Sequence, residues 1–381
     1  ADKKAEFGAL IIASTLAMCL VASASDLLLA FVSLQFLNVL GFFLAGYSKR
    51  SVQSTEAAVK YMAFSAVAAG LLLYGFAILF GATHSLNLQE IHRVLVASPL
   101  SESKALVVFM LVFLALCFQT GAFTMYLWAP DVVEGAPTPV TALFAVAPKI
   151  AAMSLTVSVL MGPFKPLFVQ WQQVIVAAAL MSMALGAFAA LRQNNIKRLM
   201  AYSSIGNVGY VLLGLASGTE KGIQSVVFYL AIYMVMTLGV FAVILLMKRK
   251  EIMVEEVSDL SGLGRSHPMM ALAMLIFMFS LAGIPPMAGF WGKLYIFMAA
   301  VEAKLFWPAI LGVLASVVAS YYYLRVVKVM YFDEPADALD APAMGVARAV
   351  AFAAALLIAV FSLAPQPLSS VAAAAAKGLF P

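Results

Sequence analysis

Charge is what this chain has least of: Asp, Glu, Lys and Arg make up 11% of its 381 residues, against 64% apolar residues and a mean hydropathy of +1.01. Soluble domains carry about 25% charged residues, so the composition excludes a soluble protein. There are two cysteines, Cys19 and Cys117, both inside apolar runs. That leaves no basis for a disulfide framework or a thiolate metal site. No phosphate-cradling glycine loop and no dinucleotide fingerprint occurs, so redox or nucleotide chemistry belongs on another chain. The net charge is only +5, and the basic residues fall in short loops instead of on one surface, which argues against nucleic acid as a partner. No inserted soluble domain and no signal-peptide cleavage pattern before the first apolar run is seen, although the sequence starts at Ala instead of Met.

What the chain has in abundance is apolar segments of spanning length. A transmembrane helix needs about 20 apolar residues, and the pattern predicts an all-α polytopic membrane protein with about eleven spans: 8–24, 27–46, 55–82, 103–128, 138–162, 169–192, 199–217, 223–248, 269–299, 305–330 and 343–364. Residues 85–99 mix charge with apolar positions and suit a short interfacial helix. The loops sort into a basic side (Lys3, Lys4, Lys49, Arg50, Arg192, Lys197, Arg198, Lys248, Arg249, Lys250, Arg265) and a sparser one (Arg93, Lys104, Lys165, Lys221, Lys304, Lys377). By the positive-inside rule the first side is cytoplasmic, which puts the first residues inside. Lys248–Ser266 is the longest polar stretch and reads as a solvated connection, with a partner-binding loop as the alternative.

Against this background two lysines stand out. Lys149 lies about eleven residues into the 138–162 span, near mid-membrane at about 1.5 Å rise per residue. Lys293 follows the Gly283-Ile284-Pro285-Pro286 interruption. A charge at bilayer depth is expensive and marks a functional site by default. Pro148 beside Lys149, like the Gly-Pro run before Lys293, predicts a broken helix next to a polar cavity. A desolvated lysine can take and release protons. Lys60 has Glu56 one turn before it, in the favourable order for an ion pair. Glu302 sits nine residues past Lys293, closer to the outer surface. Gln35 and Gln119 are amides in apolar spans and need partners. With no carboxylate deep in any span, a proton path here relies on lysines, water and hydroxyls such as Tyr126, Tyr202, Ser203, Tyr229 and Tyr233.

The longest polar motifs resemble one family. Leu127-Trp128-Ala129-Pro130-Asp131-Val132-Val133-Glu134-Gly135-Ala136-Pro137-Thr138-Pro139-Val140-Thr141 is similar to the signature of the antiporter-like subunits of respiratory complex I. Ala145–Lys149, the run Arg192–Ile205, Glu56–Tyr61, Gly283–Lys293 and Tyr321–Arg325 resemble specifically the subunit called NuoN in bacteria and its mitochondrial counterpart. The resemblance covers nearly the whole chain. Mrp-type cation antiporters share the first motif but usually place another residue where Lys149 stands.

The resemblance implies a single antiporter-like domain with two inverted five-helix repeats, here about 8–162 and 169–330, and a final helix at 343–364. Bacterial relatives typically add three helices at the N-terminus. It implies a membrane-arm subunit of a proton-translocating NADH:quinone oxidoreductase in the bacterial inner membrane, with other membrane-arm subunits and lipid as partners. NADH, FMN, iron–sulfur clusters and quinone would sit on partner subunits, and no metal or cofactor on this chain. Of the family's membrane-embedded glutamate and three lysines, Lys149 and Lys293 match two of the lysines. The glutamate aligns with Gln35 and the remaining lysine with Gln119, so an acid–base pair has become two amides able to bond each other. Two alternatives follow: a structural, non-pumping member of the complex, or an Mrp-like cation/proton antiporter.

Overall fold

The computed structural model describes residues 2–250, 252–336, 339–340 and 345–379. Glu251 and Asp337, and the first two residues of the expected last span, lie outside the described residues, as does the side chain of Lys3. The chain divides within one helix into two compact units, one running to Ala178 and one comprising Ala179–Lys377.

The first unit contains α1 (Asp2–Ala22), α2 (Leu27–Ala45), α3 (Val52–Thr83), α4 (Leu88–Ala97), α5 (Glu102–Thr120), α6 (Trp128–Gly135) and α7 (Thr138–Met161), and ends in α8 (Phe168–Ala190). The second contains α9 (Ile196–Ala216), α10 (Glu220–Ile244), α11 (Leu263–Ser266), α12 (Pro268–Ala282), α13 (Ala288–Glu302), α14 (Phe306–Phe332), α15 (Val346–Leu363) and α16 (Gln366–Leu379). Among the described residues ten helices are long and apolar enough to cross a membrane. Their outward faces carry bare aliphatic and aromatic side chains such as Ile12, Trp307 and Leu363, as expected where lipid is the solvent.

The expected 269–299 segment is two 15-residue helices, α12 and α13, parted by residues 283–287, the break that its Gly-Pro run predicts. Two other expectations need correction. The expected 103–128 span stops at Thr120, and a non-helical stretch leads into the short α6. Conversely, α7 runs unbroken through Pro148. Pro removes one helical N–H, which a membrane helix tolerates when neighbours take up the freed groups. The break expected at Lys149 therefore lies in the adjacent chain segment. The short helix expected over 85–99 is α4, and it buries Leu88, Ile91 and Leu95 along one face. The helix α16 has no counterpart among the expected spans.

One local pattern occurs in both units. Helix α2 begins at Asp26, whose side chain accepts from Leu29 N at 2.8 Å, and α9 begins at Asn195, which accepts from Lys197 N and Arg198 N. Each cap also forms an isolated antiparallel bridge, Asp26 with Asn87 and Asn195 with Glu256. The bonds flanking the bridges correspond: Leu27 N to Leu86 O and Leu88 N to Ser25 O in one unit, Ile196 N to Glu255 O and Val257 N to Asn194 O in the other. The start of one helix in each unit, α2 and α9, is thus tied to a later loop in the same way.

Candidate functional site

Each unit contains a helix that ends at a left-handed glycine, and both end by the same chemistry. Helix α5 ends at Gly121 (φ +71°) and α12 at Gly283 (φ +82°), the left-handed conformation that favours glycine. In the first, Gly121 N donates to Phe118 O and Ala122 N to Cys117 O; in the second, Gly283 N donates to Ser280 O and Ile284 N to Phe279 O. This pattern leaves the last carbonyls of each helix without backbone partners, and the helix dipole places partial negative charge there. The chain is then stitched past each break, by Trp128 Nε1 donating to Phe118 O at 3.0 Å and by Gly289 N donating to Ser280 Oγ at 2.9 Å.

Both lysines occupy these ends. Lys293 is 4% exposed, and its Nζ donates to Leu281 O (2.9 Å), Ala282 O (3.2 Å) and Ser316 Oγ (2.9 Å) while lying 4.9 Å from the centre of the Tyr210 ring. Lys149 is 5% exposed, and its Nζ lies 3.3 Å from where a Cβ on Gly121 would stand. An ammonium at the C-terminal end of a helix is electrostatically favoured, while its burial is costly. The two effects oppose one another at both lysines.

The surroundings of the two breaks differ. In the first unit Gln119 Nε2 donates to Asn38 Oδ1 at 2.7 Å, and Tyr61 OH reaches the same oxygen at 3.3 Å. The amide pair expected between Gln35 and Gln119 is therefore not formed. Asn38, one turn beyond Gln35, is the partner, and Gln35 is half-buried. In the second unit Tyr229 OH donates to Asn207 Oδ1 at 2.6 Å. Asn207 Nδ2 donates to Ser203 O (2.9 Å) and reaches Ser203 Oγ (3.3 Å), and Ser203 Oγ shares a 2.5 Å bond with Tyr323 OH. A narrow gap is lined by Lys293, Tyr210, Asn207, Ser203, Tyr322 and Tyr323.

Asn38 and Asn207 were not singled out from the sequence. Each lies twelve residues beyond its helix N-cap, and each receives a tyrosine ten residues beyond the next helix's N-cap, Tyr61 after Ser51 and Tyr229 after Thr219. That repeated offset is the signal that could have found them. Lys60 pairs with Glu56 at 2.7 Å as expected and also with Asp131 at 2.6 Å, in the Trp-Ala-Pro-Asp motif. Glu302 pairs with Lys221 at 2.9 Å, both half exposed. Tyr126 stacks on Phe123, Tyr202 is half-buried, and Tyr233 is buried. Of the expected set, among the described residues, Ser203 and Lys293 line one narrow gap, and Tyr229 is joined to it through its bond to Asn207.

Residues 24–319 match the family model described as NADH:quinone oxidoreductase/Mrp antiporter, TM. The chain is 48% identical over 380 residues to NADH-quinone oxidoreductase subunit N of Paramagnetospirillum magneticum, covering 99% of this chain and 78% of that protein. It is 47% identical over 374 residues to the subunit N of Rhodospirillum rubrum, covering 98% and 77%. Among solved structures it is similar to a chain of respiratory complex I from Thermus thermophilus with bound aureothin, with a TM-score of 0.84 and 33% identity over 96% of this chain and 79% of that one. With its spanning helices, its two interrupted helices and these relatives together, the chain is a multi-pass membrane protein that belongs to the NADH:quinone oxidoreductase/Mrp antiporter family, in the branch of NADH-quinone oxidoreductase subunit N.

Proposed function

We propose that this chain is a membrane-arm subunit of a bacterial NADH:quinone oxidoreductase and passes protons across the cytoplasmic membrane, driven by quinone reduction on partner subunits. The observation that carries the reading is the pair of almost fully buried lysine side chains whose Nζ atoms lie at the C-terminal ends of α5 and α12. Burial disfavours the charged lysine and the helix end favours it, so a modest change in nearby charge suffices to load or unload a proton. Lys149 serves as the central proton-holding group and Lys293 as a second one. Lys60, with Glu56 and Asp131, is an accessory ion cluster. NADH, FMN, iron–sulfur clusters and quinone belong to partner subunits, and lipid surrounds the outer faces. The matched caps, bridges and Asn–Tyr pairs support two repeats of one helical plan within a single antiporter-like domain, the basic loops facing the cytoplasm.

The test is the number of protons translocated per electron pair in sealed vesicles holding the assembled complex. Lys149→Ala is expected to lower that number or the coupled turnover. Equal yields and rates, with assembly verified, would reject the mechanism.

A second reading, a scaffold that no longer pumps, is favoured by one observation: the Asn38–Gln119–Tyr61 cluster contains no group that carries charge at neutral pH. Restoring acid and base together as Gln35→Glu with Gln119→Lys then raises the proton yield. An unchanged yield counts against this reading.

A further inference from the structure

The neutral cluster in the first unit raises the question of how a proton would reach Lys293. We propose that the second unit has its own access: a row of buried side chains from the Lys197–Glu255 ion pair through Thr237, Tyr233, Ser203 and Asn207 to Lys293, independent of Gln35 and Gln119. The inference rests on the reading of Lys293 as a proton carrier.

The outer end of the row is an ion pair in an unusual place. Lys197 is the second residue of α9, where the helix dipole disfavours a cation, yet its side chain is 3% exposed. Glu255, 3.0 Å away, compensates it and is itself held by Asn195 Nδ2 at 3.4 Å. The Glu255 side chain keeps 28% of its surface exposed. It is thus a carboxylate that meets the outside on one edge and a buried lysine on the other.

The middle of the row follows from helix register. α9 and α10 are joined by residues 217–219, pack together, and are pinned by the bond from Tyr229 to Asn207. In an antiparallel pair, each turn along α10 moves about 5 Å toward the start of α9. Tyr233, one turn past Tyr229, therefore comes level with Ser203 and Ser204, and Thr237, a turn further, approaches the first turns of α9, where Lys197 stands. Tyr233 lies within reach of Ser204 and Thr237 but forms no hydrogen bond of normal geometry with either. Its hydroxyl and that of Thr237 are buried, on residues 3% and 1% exposed, with no hydrogen-bond partner among the described residues. Leaving a hydroxyl unpaired in an apolar interior is costly, and natural interiors resolve this with ordered water. Two such hydroxyls one turn apart on α10, that of Tyr233 within reach of Ser204 on α9, are where the row places the water that bridges the ion pair to the Ser203–Asn207 cluster. The inner end is the gap that Ser203 and Asn207 share with Lys293.

In one passage a proton taken from solvent at Glu255 moves inward, each hydroxyl or water accepting one proton as it gives up another, while the Asn207 amide orients its neighbours and carries none. The neutral amine of Lys293 accepts the last one and becomes ammonium. The row is then restored by reorientation, with no net change in its members.

The assembled complex in sealed vesicles provides the test, with Cys19 and Cys117 first replaced by Ser. Lys293→Ala is expected to lower the protons translocated per electron pair, and Tyr233→Phe with Thr237→Val is expected to lower it to the same level while quinone reduction continues. Separately, Thr237→Cys is expected to react with a small methanethiosulfonate reagent, which requires a hydrated thiol; a packing role for Thr237 would leave the thiol unreactive. If Lys293→Ala lowers the yield while the double variant does not and Thr237→Cys stays unlabelled, the row is wrong although Lys293 still carries protons. If Lys293→Ala leaves the yield unchanged, the proposal falls with its premise, and a labelled Thr237→Cys would show that the premise failed and not the hydration of the row.

Discussion

In the first unit an asparagine on the second helix receives a tyrosine and the amide of Gln119; in the second unit the equivalent asparagine receives a tyrosine and turns its own amide toward Ser203, beside a space shared with Lys293. The backbone frame is the same in both, down to the cap, the isolated bridge and the left-handed glycine. What differs is the charge admitted to the polar cluster. The first cluster is closed and neutral, satisfied by three side chains on three helices. The second shares a narrow gap with the Lys293 side chain. Frame and charge are therefore separable: the asparagine–tyrosine pair joins two helices in either case, and on the proposed reading the third member decides whether the cluster exchanges protons.

The most severe way to break this comparison is Gln119→Lys alone, which buries a cation where only amide and phenol groups wait. An uncompensated buried charge costs about 3–5 kcal/mol, so loss of assembled complex on native gels is the expected outcome. Because Asn38 and not Gln35 touches Gln119, adding Asn38→Asp should rescue assembly better than adding Gln35→Glu. The reverse order would show that the cluster rearranges once charged.

Next in size are the two asparagines. Asn38→Leu and Asn207→Leu each strand a buried tyrosine hydroxyl, at about 1–3 kcal/mol. A lowered thermal midpoint of the solubilised complex is expected for both, with a drop in proton yield for Asn207→Leu beyond any drop for Asn38→Leu. Equal drops would mean that the second cluster is no more than a register pin.

Smaller again is Gly283→Ala. A left-handed φ costs a residue with a side chain about 1 kcal/mol or more, and the new methyl would stand 3.1 Å from Lys293 Cδ and 3.4 Å from its Nζ. Gly121→Ala meets Lys149 Nζ at 3.3 Å in the same way. Parallel losses of thermal stability in the two variants would confirm that the breaks are equivalent. The smallest effect should come from Lys221→Ala, since an exposed ion pair contributes at most about 1 kcal/mol; its thermal midpoint should be nearly unchanged.

Much of this was legible in the sequence, and for identifiable reasons. Lys149 and Lys293 stood out because charge at depth has no cheap explanation in hydrocarbon. Gly283 and the two prolines after it marked a real break. Pro148 did not, because a proline in a long buried helix loses one hydrogen bond without ending the helix, whereas Gly121, unaccompanied by proline, ended one. Gln119, an amide in an apolar span, needs a partner, and that partner is Asn38, one turn beyond Gln35. A lone asparagine in an apolar span looks like any interhelical polar contact until the neighbouring helix supplies a tyrosine at the same height. Register between helices is a property of packing, and no single span carries it.

The glycine-capped end of α12 has a consequence for how such a site is felt at a distance. Among the described residues no carboxylate stands within ion-pairing distance of Lys293; carbonyl dipoles and a hydroxyl hold it instead. On the proposed reading each loading of the amine adds one whole unit of charge to a site held only by dipoles. At an effective dielectric constant of about 20, a unit charge still acts on another about 15 Å away with roughly 1 kcal/mol. A lysine that loads and unloads at a helix end, as proposed, would transmit electrical state as well as store it, whereas a salt-bridged lysine, held protonated by its carboxylate, would be nearly silent.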